Sequence, residues 1–134
     1  MTRDAGASGL REPWVRDVLD YWFALGKKPW WGGPPELDAE IEKKFAIEWA
    51  RQSRRPVEDF LDSSDEALAA VILFDQFPRN MFRDDAEQFA TDPLAQAVAR
   101  QAVDLDFDQQ LPEVRRKFLY MPFQHSEDLH DQQR

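Results

Sequence analysis

Apolar residues recur at helical steps along most of this chain. Trp14, Val15, Val18, Leu19, Trp22 and Phe23 return every three or four residues after Pro13, a residue suited to a first helical turn. That spacing predicts a helix with one wide apolar face, ending near Gly26. Leu37, Ile41, Phe45 and Trp49 stand four apart and predict a second helix over 36–52. Its other positions, Asp38, Glu40, Glu42, Lys43 and Lys44, read as a solvated charged face. A third helix starts at a Ser63 or Ser64 cap, with Asp65 and Glu66 in its first turn, and runs through the apolar stretch Ala67 to Phe74. Being apolar on most sides, it belongs at the centre. Thr91-Asp92-Pro93, a capping side chain with a proline at the first helical position, opens a helix over 93–106 lined by Leu94, Val98, Ala102 and Leu105. Pro112 opens another, in which Val114, Phe118 and Leu119 face inward. No stretch alternates with period two for long enough to make a strand, so the fold class is all-α.

Prolines and glycines punctuate this pattern. Phe77 precedes Pro78, where α geometry is disfavoured, so the third helix should end near Gln76. Pro122 should likewise break the chain over 120–123, leaving His125-Ser126-Glu127-Asp128 as the cap and acidic first turn of a last helix. Gly26 to Pro35 (GKKPWWGGPP) is too interrupted for regular structure. Its Trp30 and Trp31 either fold back as a lid over the core or form the aromatic wall of a pocket. Pro56 to Leu61 reads as a short helical turn, and Met81 to Phe89 as a connection with one further turn. Residues 1–11 are mostly small and polar and are expected to be a disordered tail ahead of a single helical domain over 12–134.

Composition narrows the function classes. With 43% apolar residues, ten Phe and five Trp, the 134-residue chain can build one real core. A net charge of −9 argues against nucleic acid, whose binding needs clustered Lys and Arg. There is no cysteine, hence no disulfide and no thiolate chemistry, which suits a reducing cytoplasm. The first residues lack the apolar core of a signal peptide, and no apolar run reaches the roughly 18 residues that span a bilayer, so a soluble cytoplasmic protein without a membrane partner is expected.

Candidate chemistry collects at the two proline breaks. Asp75 sits in a last helical turn, where the macrodipole disfavours a carboxylate, so it should pair with a cation, foremost Arg79 and otherwise Arg83. Asp75, Gln76, Arg79 and Asn80 could form a buried polar knot that satisfies broken backbone ends, or a pocket that presents Arg79 and Asn80 to an anion or an amide. Tyr120, His125, Ser126 and Glu127 lie at the other break, which should pack against the first and bring His125 to Asp75, Arg79 or Asn80. If a proton is moved, His125 is the acid or base, with Asp75 or Glu127 beside it. Trp22 and Trp31 complete the candidate ligand-binding set. Other motifs fail. Asp104 to Asp108 resembles the opening of a calcium loop, but Gln109 and Arg115 occupy the positions of its obligatory Gly and Glu. His125 and His130 are five apart rather than the four a helical zinc pair needs. No metal and no cofactor is expected.

Four segments resemble the DUF924 family of bacterial proteins of unknown function: DVLDYWF from Asp17, LFDQFPRNMFR from Leu73, FATDPL from Phe89 and FLYMPFQHSEDL from Phe118. The resemblance implies a TPR-like array of stacked helical hairpins and assigns no activity. Arrays of that kind usually bind a protein or peptide in a concave groove, so a helical binding module is the first expectation. A small-molecule enzyme, such as a hydrolase built on Asp75, Arg79 and His125, is the second, and a small anionic ligand would suit the arginines. Family chains usually continue through a second aromatic-basic segment, RFGRFPHRN, whereas this sequence stops at Arg134. An uncapped end exposing Phe118, Met121, Phe123 and Leu129 would favour a homodimer.

Overall fold

Residues 12–30 and 33–132 are described by the computed structural model, with 126–132 described by their backbone alone. The helices are α1 (Pro13–Leu25), α2 (Lys27–Trp30), α3 (Pro35–Gln52), α4 (Ser64–Val71), α5 (Phe77–Met81), α6 (Asp92–Asp104) and α7 (Glu113–Gln132). Single 3-10 turns lie at Val57–Phe60, Ala86–Phe89 and Phe107–Gln110. Among the described residues there is no strand, and the fold is all-α. The expected tail over 1–11 lies outside the described residues. No described helix is long and apolar enough to cross a membrane.

The Ser63 hydroxyl accepts a 3.0 Å hydrogen bond from the Glu66 N–H and so starts α4. Every residue of this helix from Glu66 to Val71 is buried, as its apolar sequence requires. α1, α6 and α7 all pack on it, while α3 packs on α5. The core continues through Trp22, Phe60, Phe74, Phe77 and Phe118. Trp22 meets Phe77 and Phe118 edge to face, with centroids 5.7 and 5.6 Å apart.

Both expected proline breaks are absent. After Val71 the chain widens into a π turn over Ile72–Gln76, in which the Phe77 N–H bonds the Ile72 carbonyl five residues back. Phe77 keeps right-handed helical geometry (φ −60, ψ −40), and α5 follows directly. Pro78 cannot supply an N–H to the preceding turn. The Thr91 hydroxyl donates instead to the Phe74 carbonyl at 2.7 Å, and Arg79 Nη1 donates to the Asp75 carbonyl at 2.5 Å. A tertiary bond from Thr91 and a local side-chain bond from Arg79 thus replace the missing ones and keep the chain helical. For the same reason Thr91 does not cap α6 with its side chain, although α6 begins beside it as expected. Pro122 lies inside α7, buried with Met121. Packing there outweighs a local penalty of about 3 kcal/mol.

Smaller departures follow from the same cause. Lys27–Trp30 is a helical turn, because Pro29 falls in a first turn whose N–H groups need no intrahelical partner. Gly26 (φ 85) reverses the chain between α1 and α2. Val114 and Leu105 are exposed and Leu94 is half-buried, while Ala95 and Ala99 face inward on α6, where small side chains allow close approach to α4. Phe118 and Met121 are buried within the single chain, and Phe123 packs partly against its core. Leu129 lies outside the described side chains.

Candidate functional site

Asp75 sits in the π turn and is fully buried. Its Oδ1 lies 2.7 Å from His125 Nδ1, and its Oδ2 accepts from Gln76 Nε2 at 2.8 Å. When Asp75 is a carboxylate it can only accept, and His125 Nδ1 is then the donor of this contact. Arg79, the partner expected from sequence, is 3.5 Å from Oδ1, too long for a good hydrogen bond. Its guanidinium instead forks onto Asp92, at 2.9 and 3.0 Å, and stacks over the Phe89 ring. The two-pronged fit to a nearby carboxylate wins over the stretched contact one helical turn away.

A second ion pair closes the other side. Asp38, expected on a solvated face, accepts from Asn80 Nδ2 at 2.9 Å and from Arg83 Nε and Nη2 at 2.6 and 3.0 Å. Burial alone would raise the Asp38 pKa, but hydrogen bonds from Arg83 and Asn80 outweigh it and hold the carboxyl below its ordinary value. The Arg83 guanidinium is raised, first by its hydrogen bond to Asp38.

Between these pairs opens a cavity of about 290 Å³. Gln76, Arg79, Asn80 and Arg83 line one side, Met121 and His125 another, and Pro29, Trp30 and Gly33 a third. The pairs 76/80 and 121/125 are four residues apart, so each presents neighbouring side chains from one helical face, while Arg83 reaches the cavity from the turn after α5. Trp30 is held in place by its Nε1, which donates to the Trp22 carbonyl at 2.7 Å, and by stacking on the Trp22 ring. A Cβ on Gly33 would lie 2.6 Å from Leu37 Cδ2, so any other residue at this cavity edge would make the Leu37 side chain shift. The His125 side chain is 24% exposed, and its Nε2 has no hydrogen-bond partner among the described residues.

Of the residues expected at the site, Asp75, Gln76, Arg79, Asn80 and His125 are brought together. Trp22 is buried in the core instead. Tyr120 turns away, donating to Asp108 Oδ2 at 2.5 Å, and that hydrogen bond raises its pKa. Trp31, Ser126 and Glu127 lie outside the described side chains. Sequence reasoning missed Met121, Pro29, Gly33 and the role of Asp38 and Asp92. Met121 had a signal, since it stands four before His125. Among the described residues no three His, Asp or Glu side chains converge as metal ligands.

Residues 18–134 match the pattern of DUF924, a family described as bacterial protein of unknown function. The chain is also similar to a solved structure, the protein of unknown function ATU0120 from Agrobacterium tumefaciens. The two share 36% identity with a TM-score of 0.80, over 89% of this chain and 68% of that one. No curated protein matches.

Proposed function

The chain belongs to the DUF924 family, whose description assigns no reaction, and from that premise we propose that the cavity is the active site of a small-molecule hydrolase. The observation that carries this reading is the contact of 2.7 Å between His125 Nδ1 and the fully buried Asp75, in the wall of a cavity that His125 itself lines. Donation from Nδ1 fixes the imidazole so that Nε2 meets the cavity as a base. Asp75 would stabilise the imidazolium formed when Nε2 takes a proton. The described lining residues include no hydroxyl, thiol or amine, so water is the nucleophile. His125 Nε2 removes a proton from water, the hydroxide attacks the substrate, and the same nitrogen returns the proton to the leaving group.

A TPR-like module that holds a peptide is the second reading. It calls for a line of exposed aromatic and polar side chains on one face. The large exposed apolar residues, Ile47, Phe89, Leu105 and Val114, belong to four different segments, which favours the enzyme. The test is a metabolite extract incubated with the purified protein, with species gained and lost followed by mass spectrometry. The hydrolase should consume at least one small molecule, and His125→Asn should abolish the change. No change, or the same change with the variant, overturns the proposal.

A further inference from the structure

We propose that this cavity takes an organic cation, an amine, amidine or guanidine, whose N–H groups donate to Gln76 Oε1 and Asn80 Oδ1. This deepens the hydrolase reading by naming the class of its substrate, and it rests on the same cavity.

The hydrogen bonds already made inside the site decide which groups are left for a ligand. Gln76 Nε2 is bound to Asp75, and Asn80 Nδ2 to Asp38. Both partners are carboxylates, which only accept, so the orientation of each amide is fixed by chemistry. Among the described residues the two amide oxygens carry no hydrogen bond, and both residues line the cavity. His125 Nε2 is likewise without a partner and is an acceptor whenever the ring is neutral. The arginines, which drew the expectation of an anion, already meet carboxylates: Arg79 is forked onto Asp92, and Arg83 onto Asp38.

Charge points the same way. Three carboxylates, Asp38, Asp75 and Asp92, face two guanidinium groups, Arg79 and Arg83. In the cavity wall itself the guanidinium groups are those of Arg79 and Arg83, and each is already paired with an aspartate behind it. An anion would have to compete with the bound aspartates for each arginine. A cation meets paired arginines and finds the two amide oxygens waiting as acceptors. Trp30 and Met121 supply an apolar wall for its organic part, and the indole also suits a cation nearby.

The experiment titrates 15N-labelled wild-type protein with benzamidine and n-butylamine, and in parallel with benzoate, butyrate and inorganic phosphate. The side-chain amide resonances of Gln76 and Asn80 are followed by NMR. Benzamidine should shift both amides and bind at least about tenfold more tightly than benzoate, a difference of about 1.4 kcal/mol. Gln76→Met should weaken benzamidine by about as much. Equal or tighter binding of benzoate or phosphate, or cation shifts that leave both amides unmoved, overturns the proposal. The outcomes separate the two readings. Turnover that depends on His125, with no cation binding, removes the substrate class and leaves the hydrolase. Cation binding without such turnover keeps the class and removes the catalysis.

Discussion

Asp75 and Glu66 are both buried carboxylates, less than three helical turns apart on one continuous stretch of chain, yet their surroundings give them opposite characters. Each Asp75 oxygen meets a donor, from His125 and from Gln76. Glu66 is nearly as buried, but only Oε1 has a donor, the Asp62 N–H at 3.1 Å, and Oε2 has none. Glu12 supplies a second carboxylate rather than a cation, and burial, followed by the hydrogen bond with Glu12, pushes Glu66 up to about 8. Arg55 is spent on Glu12 and Asp59. The contrast teaches that burial does not by itself mark a site. Asp75 is matched by donors and shares its histidine with a cavity, so it can support chemistry. Glu66 holds a proton because nothing else satisfies it, and its place is structural.

The sharpest way to break this contrast is to remove Asp75. In Asp75→Ala, His125 Nδ1 and Gln76 Nε2 lose an acceptor together, while Arg79 keeps Asp92 and the backbone carbonyl of residue 75. Leaving a buried donor without its acceptor costs about 1–3 kcal/mol, and two are left here. Urea unfolding followed by the fluorescence of the five tryptophans should show a loss in that range. A loss under about 1 kcal/mol would mean that Asp75 is no better matched than Glu66.

The next effect tests what holds Asp75 in place. Thr91 is buried, donates to the Phe74 carbonyl and accepts from Trp49 Nε1 at 3.1 Å. Thr91→Val keeps the shape and leaves both groups unpaired, at a cost of about 2 kcal/mol. Thr91→Ser should recover most of it. Because the Phe74 carbonyl precedes Asp75 in the π turn, the valine variant should also weaken benzamidine binding, whereas Ser63→Ala, which loosens only the start of α4, should not. Equal effects of the two variants on binding would detach the π turn from the site.

Much of this was legible in the sequence, for reasons that also explain what was not. The apolar steps of α1 and α3, the Ser63 cap and the centrality of α4 are local periodicities, and local periodicity survives folding. Asp75 and His125 could be named because a carboxylate in a late helical turn and a histidine near a second proline each need a partner. The breaks at Pro78 and Pro122 were misread because the rule against helix before proline is also local. At Pro78 it was overruled by Thr91, whose contact to the π turn depends on the tertiary fold, and at Pro122 by packing. The same holds for Asp38 and Asp92. Nothing in their neighbourhoods says that one will take Arg83 and the other Arg79, and so the arginines read as free for an anion. Only the four-residue spacing 121/125 could have placed Met121 at the cavity in advance.

The smallest expected effect is a pH dependence that belongs to Glu66 alone. Its folded value of about 8 stands above the ordinary 4.5. Between those two values the folded chain keeps a proton that the unfolded chain has released. Stability is therefore fully present below about 4.5 and declines as pH rises toward 8, then levels off. Glu12 works in another window. Burial raises it, but its hydrogen bonds with Glu66 and Arg55 prevail and hold it below its ordinary 4.5, so its contribution is lost only as acid is added. Glu66→Gln imitates the protonated side chain without its titration. At pH 5 wild type and variant should melt together. At pH 9 the variant should melt at least about 3 °C higher, and its melting temperature should fall less across the interval. A variant that melts lower at pH 9 would show that the Glu66 charge is compensated after all, which would make this carboxylate the equal of Asp75.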